Sequence, residues 1–426
     1  ITTPQIFIGF SLAMSFLGYP ILFFQLNAYR KALGLTDPEL IIQATIASGW
    51  SIIGVIFIYG LLVSLSNRPV SREKSRHNYA GVIISDVHKP KEGYSSFWFI
   101  VLVTCFLVLS TYLSKISNIA LFEAFTGGNV ALARSLMTND FQGSYHWYRL
   151  FFHDLSWLSS LVLFAVALRS NTLRAWIFFG MSFVLVSFCL LMTAQKSPMI
   201  FYLGTLFLLY SFLKNNGVVS FRNLVLLFIM TAMILVPMYL YFMGSSDPFS
   251  ALSSILSRSL TGQLSGAYHY QWIFPDLIDY LYGRSFPNPR GLLPFEHFPL
   301  PTEVMRIVQP HLIERGIVGS EPTMYWGEIY ANFGWIGVFV SPIYVGFFIF
   351  LCNWMVSMIK DPAMKGAVTV WVGFQLGRFA YSGVSWSFLP ETLVAGFMII
   401  FCCFFIGTLK KQLYLSIRSP KVQSVP

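Results

Sequence analysis

Charge is scarce in this chain. Only 11% of its 426 residues are Asp, Glu, Lys or Arg, against about a quarter in a soluble domain. Cysteine is sparse too. Cys105, Cys189, Cys352, Cys402 and Cys403 all fall inside apolar runs, and none makes a CxxC or a Cys/His metal spacing. That excludes a disulfide scaffold and leaves core packing as their role. There is no DxD and no Gly-rich phosphate loop, so no nucleotide-sugar site of the soluble type is present. No internal repeat is visible, so the inverted halves of a transporter are not evident either. Neither a metal nor an organic cofactor is expected. The chain begins without Met and without a signal-peptide n-region, and a short N-terminal piece is expected to have been removed.

What is present is apolar. Hydrophobic residues make up 55% of the chain, aromatics 17%, and mean hydropathy is +0.64. The runs are continuous over about 20 residues, which fits helices crossing about 30 Å of hydrocarbon and excludes an alternating transmembrane barrel. The expected fold is an all-α polytopic membrane protein. Ten spans are predicted, roughly 5–26, 40–64, 96–114, 150–168, 175–193, 198–213, 223–243, 325–358, 366–385 and 390–408. In chain order this gives a first block of seven spans over 1–243, a large loop over 244–324, and three spans with a tail over 325–426.

The net charge of +10 is no sign of nucleic-acid binding, because Lys and Arg cluster in short loops between the apolar runs. Of the 28 basic residues, 16 lie on one side: in the basic loop 66–95, around 169–174 and 214–222, at 360 and 365, and in the tail. The other side carries its basic residues mostly in two long loops, 115–149 and 244–324. Long loops translocate regardless of charge, so the short ones set orientation, and both termini are expected in the cytoplasm. The basic loop also suits anionic lipid.

Loop 244–324 concentrates the polar chemistry and is expected to hold short helices, since a structureless loop of that length is uncommon. It carries Arg258, Arg284, Arg290, Arg306 and Arg315 without a single Lys. Arg makes planar, bidentate contacts with phosphate, where Lys is a point charge. Carboxylates, His269, His297, His311 and aromatics such as Tyr268, Tyr270 and Trp272 are interleaved. Ring faces stack on apolar sugar faces, and carboxylates accept from sugar hydroxyls. Surface ion pairs in a solvated loop are the alternative.

The stretch from Arg315 to Gly337 is the most specific. Ser320 is a candidate N-cap and Pro322 suits a first helical turn. A helix beginning there would put Glu321 and Glu328 on similar faces two turns apart. Asn332 and Trp335 would extend the Glu328 stripe, and Gly327, Gly334 and Ser341 would form a stripe for close packing. Glu321 could be a helix-start charge, and Glu328 a structural hydrogen-bonding group. In the ninth span, Gln375, Arg378, Ser382 and Ser385 share a face by helical spacing. Arg378 could hold a diphosphate or pair with Glu391. Lys196 sits at the outer end of a tight hairpin, where diphosphate contact is an option. His153 and Asp154 could handle protons or form a structural pair.

The pattern Gly319-Ser-Glu-Pro-Thr…Gly327-Glu-Ile-Tyr-Ala-Asn-Phe-Gly334…Gly337 resembles the stretch after the large periplasmic loop of Wzy-type oligosaccharide repeat-unit polymerases. These are the O-antigen, enterobacterial-common-antigen and capsule polymerases. The layout agrees over nearly the whole chain, and the motif covers about 23 residues. The resemblance implies a GT-C-like, metal-independent glycosyltransferase of the bacterial inner membrane. It would transfer the growing glycan from undecaprenyl diphosphate to a lipid-linked repeat unit on the periplasmic face. A chain-length regulator and a flippase of the same pathway would be its partners. Loop arginines of that family map here to Arg258 and Arg315, which would hold the diphosphate, with Arg284, Arg290, Lys196, Arg378 and Tyr268 as further binding residues. Glu321, Glu328 or His311 would accept the proton from the attacking hydroxyl. The rivals are an O-antigen ligase, with lipid A-core as acceptor, and a transporter or flippase for lipid-linked sugars.

The charge bias makes a direct prediction about topology. A single Cys at Ser246 or Asn288 is expected to react with an impermeant thiol reagent in intact spheroplasts. Reaction only after lysis would invert the orientation.

Overall fold

The computed structural model of the chain describes residues 2–26, 28–66, 92–138, 141–195, 197–214, 218, 221–243, 247–311, 319–359, 361–388, 391–398 and 400–401. Among these residues every regular element is helical. The chain packs as two units. One comprises Ile1–Ser85 and Lys196–Leu389, the other Asp86–Gln195 and Pro390–Pro426. The sequence-based blocks follow chain order, whereas each unit joins two segments that are separated along the chain.

The helices run as follows. The first are α1 (Thr3–Ser15), α2 (Tyr19–Phe23), α3 (Ala28–Ala32) and α4 (Pro38–Leu65). Next come α5 (Glu92–Leu113), α6 (Ala120–Thr126), α7 (Val130–Met137), α8 (Tyr145–Arg149), α9 (Ser156–Ser170) and α10 (Leu173–Leu191). A π-helical turn, Leu150–Leu155, joins α8 to α9. Then follow α11 (Ser197–Lys214), α12 (Phe221–Met243), α13 (Pro248–Ile273), α14 (Leu300–Val308), α15 (Tyr325–Ser357) and α16 (Pro362–Gly377). Six stretches among the described residues are long and apolar enough to cross a bilayer: Thr3–Phe23, Pro38–Leu65, Tyr145–Ser170, Leu173–Leu191, Ser197–Lys214 and Tyr325–Ser357. Shorter apolar helices cover Phe97–Leu113 and Val225–Pro237. The chain is thus an all-α membrane protein.

Local chemistry explains the helix starts. Asp37-Pro38, Asp247-Pro248 and Asp361-Pro362 each open a helix. The Asp carboxylate accepts free N–H groups of the first turn, and the Pro needs no N–H there. Asp247, for example, accepts from Phe249 and Ser250, both at 2.9 Å.

In the first unit α4 lies along α15, cross-linked by polar groups. Tyr325 OH donates to Ser51 O at 3.2 Å, Trp326 Nε1 to Ser48 Oγ at 3.0 Å, and Asn353 Nδ2 to Tyr59 OH at 2.9 Å. In an apolar environment such bonds hold helix partners together. The long loop departs from expectation, because it opens with the 26-residue α13 rather than with short helices alone. The second half of α13, from Leu264 to Gln271, is buried on every side. It packs among α1, α4, α12 and α15.

α15 does not start at Ser320 and is not continuous. Its first residue is Tyr325, after Met324 as N-cap. Residues 319–324 form no helix, so Glu321 and Glu328 share no helical face. Gly334 sits at φ 60°, ψ −153°, a backbone region that only glycine adopts readily. The break leaves the carbonyls of Ala331 and Asn332 to accept the N–H groups of Leu281 and Tyr282, both at 3.0 Å. The expected Gly327–Gly334–Ser341 packing stripe is interrupted at this point.

α16 ends at Gly377, so the predicted span 366–385 is not one helix. A 3-10 turn, Arg378–Ala380, follows, and Ser385–Ser387 forms another. The N–H groups that a longer helix would use internally are engaged elsewhere: Gly383 N–H donates to Thr323 O at 2.8 Å. Gln375 and Arg378 therefore do not continue onto one face with Ser382 and Ser385.

The second unit packs α5 to α10 around an aromatic cluster of Tyr112, Phe141, Tyr145, Tyr148 and Phe152. His153 Nδ1 lies 3.5 Å from Asp154 Oδ1, and Asp154 also accepts from Thr392 Oγ1 at 3.2 Å.

Gly266 on α13 faces the 319–324 segment so closely that a Cβ there would fall on the carbonyl oxygen of Pro322. Backbone cannot yield as a flexible side chain does, so Gly266→Ala is expected to destabilise the purified protein by about 1–3 kcal/mol. Gly9→Ala, with open space around it, is expected to unfold at the wild-type temperature. Thermal unfolding in detergent compares the two, and an unshifted Gly266→Ala midpoint would refute the contact.

Candidate functional site

Four chain segments converge at the head of α15. The first is the non-helical segment 319–324. Its Glu321 N–H donates to Pro301 O at 2.8 Å, and Glu321 O accepts from Tyr270 OH at 3.1 Å. With its amide turned to donate, Gln263 reaches Pro322 O at 3.1 Å and Tyr381 O at 3.2 Å. The Gly-Ser-Glu-Pro-Thr motif is therefore a partly buried strap held through its backbone, with Glu321 and Thr323 buried. Burial pushes the Tyr270 phenol well above its ordinary pKa, with the nearby Glu328 and Glu321 charges adding to the effect.

The other three segments meet at Glu328. Its side chain is buried, with the residue 6% exposed. Oε1 accepts from Ser285 Oγ at 2.9 Å and from Ser385 Oγ. Oε2 accepts the N–H groups of Val384 at 2.6 Å and Ser385 at 3.0 Å. One turn on, Asn332 Nδ2 donates to Ser285 Oγ and to Glu328 O, both at 2.8 Å, and its Oδ1 accepts from Gly283 N–H at 2.8 Å. Every lone pair of the carboxylate faces a donor. Glu328 thus fixes the 281–285 loop and the 383–385 turn to α15.

Both segments contribute to the lining of a cleft of about 490 Å³, formed by Ser285, Pro287, Asn288, Pro289, His297, Ser385 and Trp386. The two parts of this lining touch where Ser385 Oγ donates to Ser285 O at 3.3 Å. Asn288 shapes its own part of the lining: Nδ2 donates to Phe295 O at 2.6 Å and to Leu293 O at 3.1 Å, while Oδ1 accepts from Leu293 N–H at 2.8 Å. His297 Nδ1 lies 3.1 Å from Phe286 O. A neutral imidazole must donate through Nδ1 to that carbonyl, which leaves Nε2 as the acceptor. Trp386 packs on Phe379 and Phe348, and the guanidinium carbon of Arg378 lies 5.8 Å from its ring centre.

The sequence-based candidates fall in different places. Glu321 lies buried in the strap with its Oε1 3.7 Å from Nδ1 of buried His269, and it does not line the cleft. Glu328 braces the cleft from behind. His311 is exposed beyond α14. Arg258 is exposed midway along α13. Arg284 is exposed beside Ser285, its Nε donating to Leu281 O at 3.3 Å. Arg290 lies in the 3-10 turn Pro289–Gly291. Tyr268 is buried, donating to Gly34 O and accepting from Asp37 N–H, both at 3.2 Å, so it pins α13 to the start of α4. Lys196 and Arg315 lie outside the described residues. Among the described residues no group of three or more His, Cys, Asp or Glu is arranged to hold a metal.

Sequence reasoning named His297 and Ser385 without linking them, and missed Ser285 and Trp386. They come from segments about a hundred positions apart, and no spacing connects them. Comparison with protein-family models, with curated proteins and with solved structures finds no match to this chain.

The geometry separates bracing from chemistry at Glu328. Gln can still accept two N–H bonds and donate to two hydroxyls, so Glu328→Gln is expected to accumulate in the membrane near the wild-type level. Glu328→Ala leaves buried donors unsatisfied at about 1–3 kcal/mol each, and its abundance should drop several-fold. A Gln variant at full abundance but without turnover would instead mark Glu328 as a reacting group.

Proposed function

We propose that this chain is a membrane glycosyltransferase of the bacterial inner membrane that joins oligosaccharide repeat units carried on undecaprenyl diphosphate at the periplasmic face. The observation that carries this reading is the cleft, which combines an indole face, hydroxyls and a histidine with a free acceptor nitrogen. Trp386 offers a flat apolar surface for a sugar ring. Ser285, Ser385 and Asn288 offer polar edges for its hydroxyls. Arg378, stacked over Trp386, brings positive charge to the rim, where a departing diphosphate would be held. The resemblance of the 319–337 stretch to repeat-unit polymerases points the same way.

In this reading the hydroxyl of one lipid-linked unit attacks the anomeric carbon of the other. The bond from that carbon to the diphosphate oxygen breaks, and undecaprenyl diphosphate leaves with the bonding pair. The hydroxyl proton passes to His297 Nε2. Glu328 does not take it, because its oxygens are committed to four donors. It holds the two lining segments in place instead. Arg258, Arg284 and Arg290 would draw the lipid-linked anions toward the loop.

Deleting the gene and running a lipopolysaccharide or capsule ladder tests the function. Long chains should vanish while a single capped repeat unit remains. Loss of that unit as well would indicate a ligase, and an unchanged ladder would refute both. In the complemented strain His297→Ala should lower polymer yield per protein molecule about 10²- to 10⁴-fold, the usual span for losing a general base. Wild-type yield from that variant would remove His297 from the reaction.

A further inference from the structure

The second unit carries a feature that the glycosyl-transfer reading leaves unused. The segment between α5 and α8, expected to be an outer loop, contains two short helices joined at Gly127–Asn129. Three contacts fix their height. Tyr112 OH, at the end of α5, donates to Met137 O at 2.5 Å. Leu121 N–H donates to Met192 O at 3.0 Å. Arg134 Nε and Nη2 donate to Thr193 O at 2.9 Å and Ala194 O at 3.1 Å, the carbonyls that follow α10. The helix pair therefore lies across the ends of α5 and α10, at the level where those apolar helices stop.

The inward face is packed: Ala120, Ala133 and Met137 are buried against Tyr112, Phe152 and Met192. The outward face is apolar as well. Phe122, Phe125, Leu132 and Leu136 are between 42 and 68% exposed. Between Ala120 and Met137 only Glu123 and Arg134 carry charge, and Arg134 reaches inward to the α10 carbonyls. Leu132 and Leu136 are one helical turn apart, as are Ala133 and Met137, so α7 carries an exposed apolar stripe beside its packed one. Trp147, 53% exposed, stands on α8 at the start of the apolar stretch Tyr145–Ser170. Tryptophan at that position is typical of the membrane–water boundary.

We propose that α6 and α7 lie in the plane of the bilayer interface, with Phe122, Phe125, Leu132 and Leu136 inserted among the lipid headgroups and upper acyl chains. Lipid is the occupant because the face continues the surface of apolar helices at their ends. An aqueous loop would leave four large side chains in water, and an interfacial helix buries such a face about 5–10 Å into the boundary. The inference rests on the membrane character of α5, α9 and α10 and is independent of the transfer reaction.

The test uses the full-length protein with single spin labels at Phe125 and at each position from 130 to 137. It is reconstituted in vesicles of phosphatidylethanolamine and phosphatidylglycerol. Collision with oxygen, which partitions into lipid, is compared with collision with a water-soluble nickel chelate. Oxygen should exceed nickel at Phe125, Leu132 and Leu136, with maxima one turn apart along α7. Higher nickel than oxygen collision at Leu132 and Leu136 would place the face in water. Immobile labels shielded from both reagents would place it under another protein. Either result overturns the proposal. Leu136→Asp, which leaves the packed side untouched, should raise nickel collision at a Leu132 label; an unchanged value there also counts against insertion.

Discussion

A carboxylate in an apolar interior is unfavourable unless donors surround it. Glu328 meets that condition with two serine hydroxyls and two backbone N–H groups drawn from segments a hundred residues apart. Those segments have little else in common. The 281–285 loop is short and polar, and the 383–385 turn follows the end of α16. Each needs a partner for its buried groups, and the same side chain serves both. Asn332 closes the arrangement by bonding Ser285 and Gly283. The location of the cleft follows from this one acceptor.

The strap and the break in α15 give Glu328 its position. If the helix began at Ser320, Glu321 would sit on it and the Pro322 and Thr323 carbonyls would be used internally. They are instead taken by Gln263 and Gly383. If the helix ran unbroken through Gly334, the carbonyls of Ala331 and Asn332 would not be open to Leu281 and Tyr282. The motif of small and polar residues from 319 to 337 thus serves backbone exchange between elements.

Apolar runs placed most of the long helices, because length and continuous hydrophobicity are local properties. The Asp-Pro pairs at 37, 247 and 361 cap three helices in the structure. Where a long-range bond outcompetes helix continuation, local reading failed: at Ser320, at Gly334 and after Gly377. The spacing of Glu321 and Glu328 misled because the four residues from 321 to 324 are not helical. Tyr268 reads as a loop aromatic but is a buried pin, since α13 extends the helical core into what the charge pattern marks as loop. His297 and Trp386 gave no sequence signal beyond their side-chain chemistry. Only the fold brings a histidine just before α14 and a tryptophan after α16 to one cleft.

The shared carboxylate also bears on the thermodynamics of occupancy. Because both lining segments bond to Glu328, their placement is set during folding, before any ligand enters. A guest would meet ordered backbone and would not have to immobilise two loops, a term that otherwise opposes association. Selectivity would then come from the fit of rigid shapes rather than from closure around the guest. A molecule wider than the gap would have to break bonds to the buried Glu328 carboxyl, leaving its oxygens without donors. The feature that holds the cleft open is in this way also the barrier to widening it.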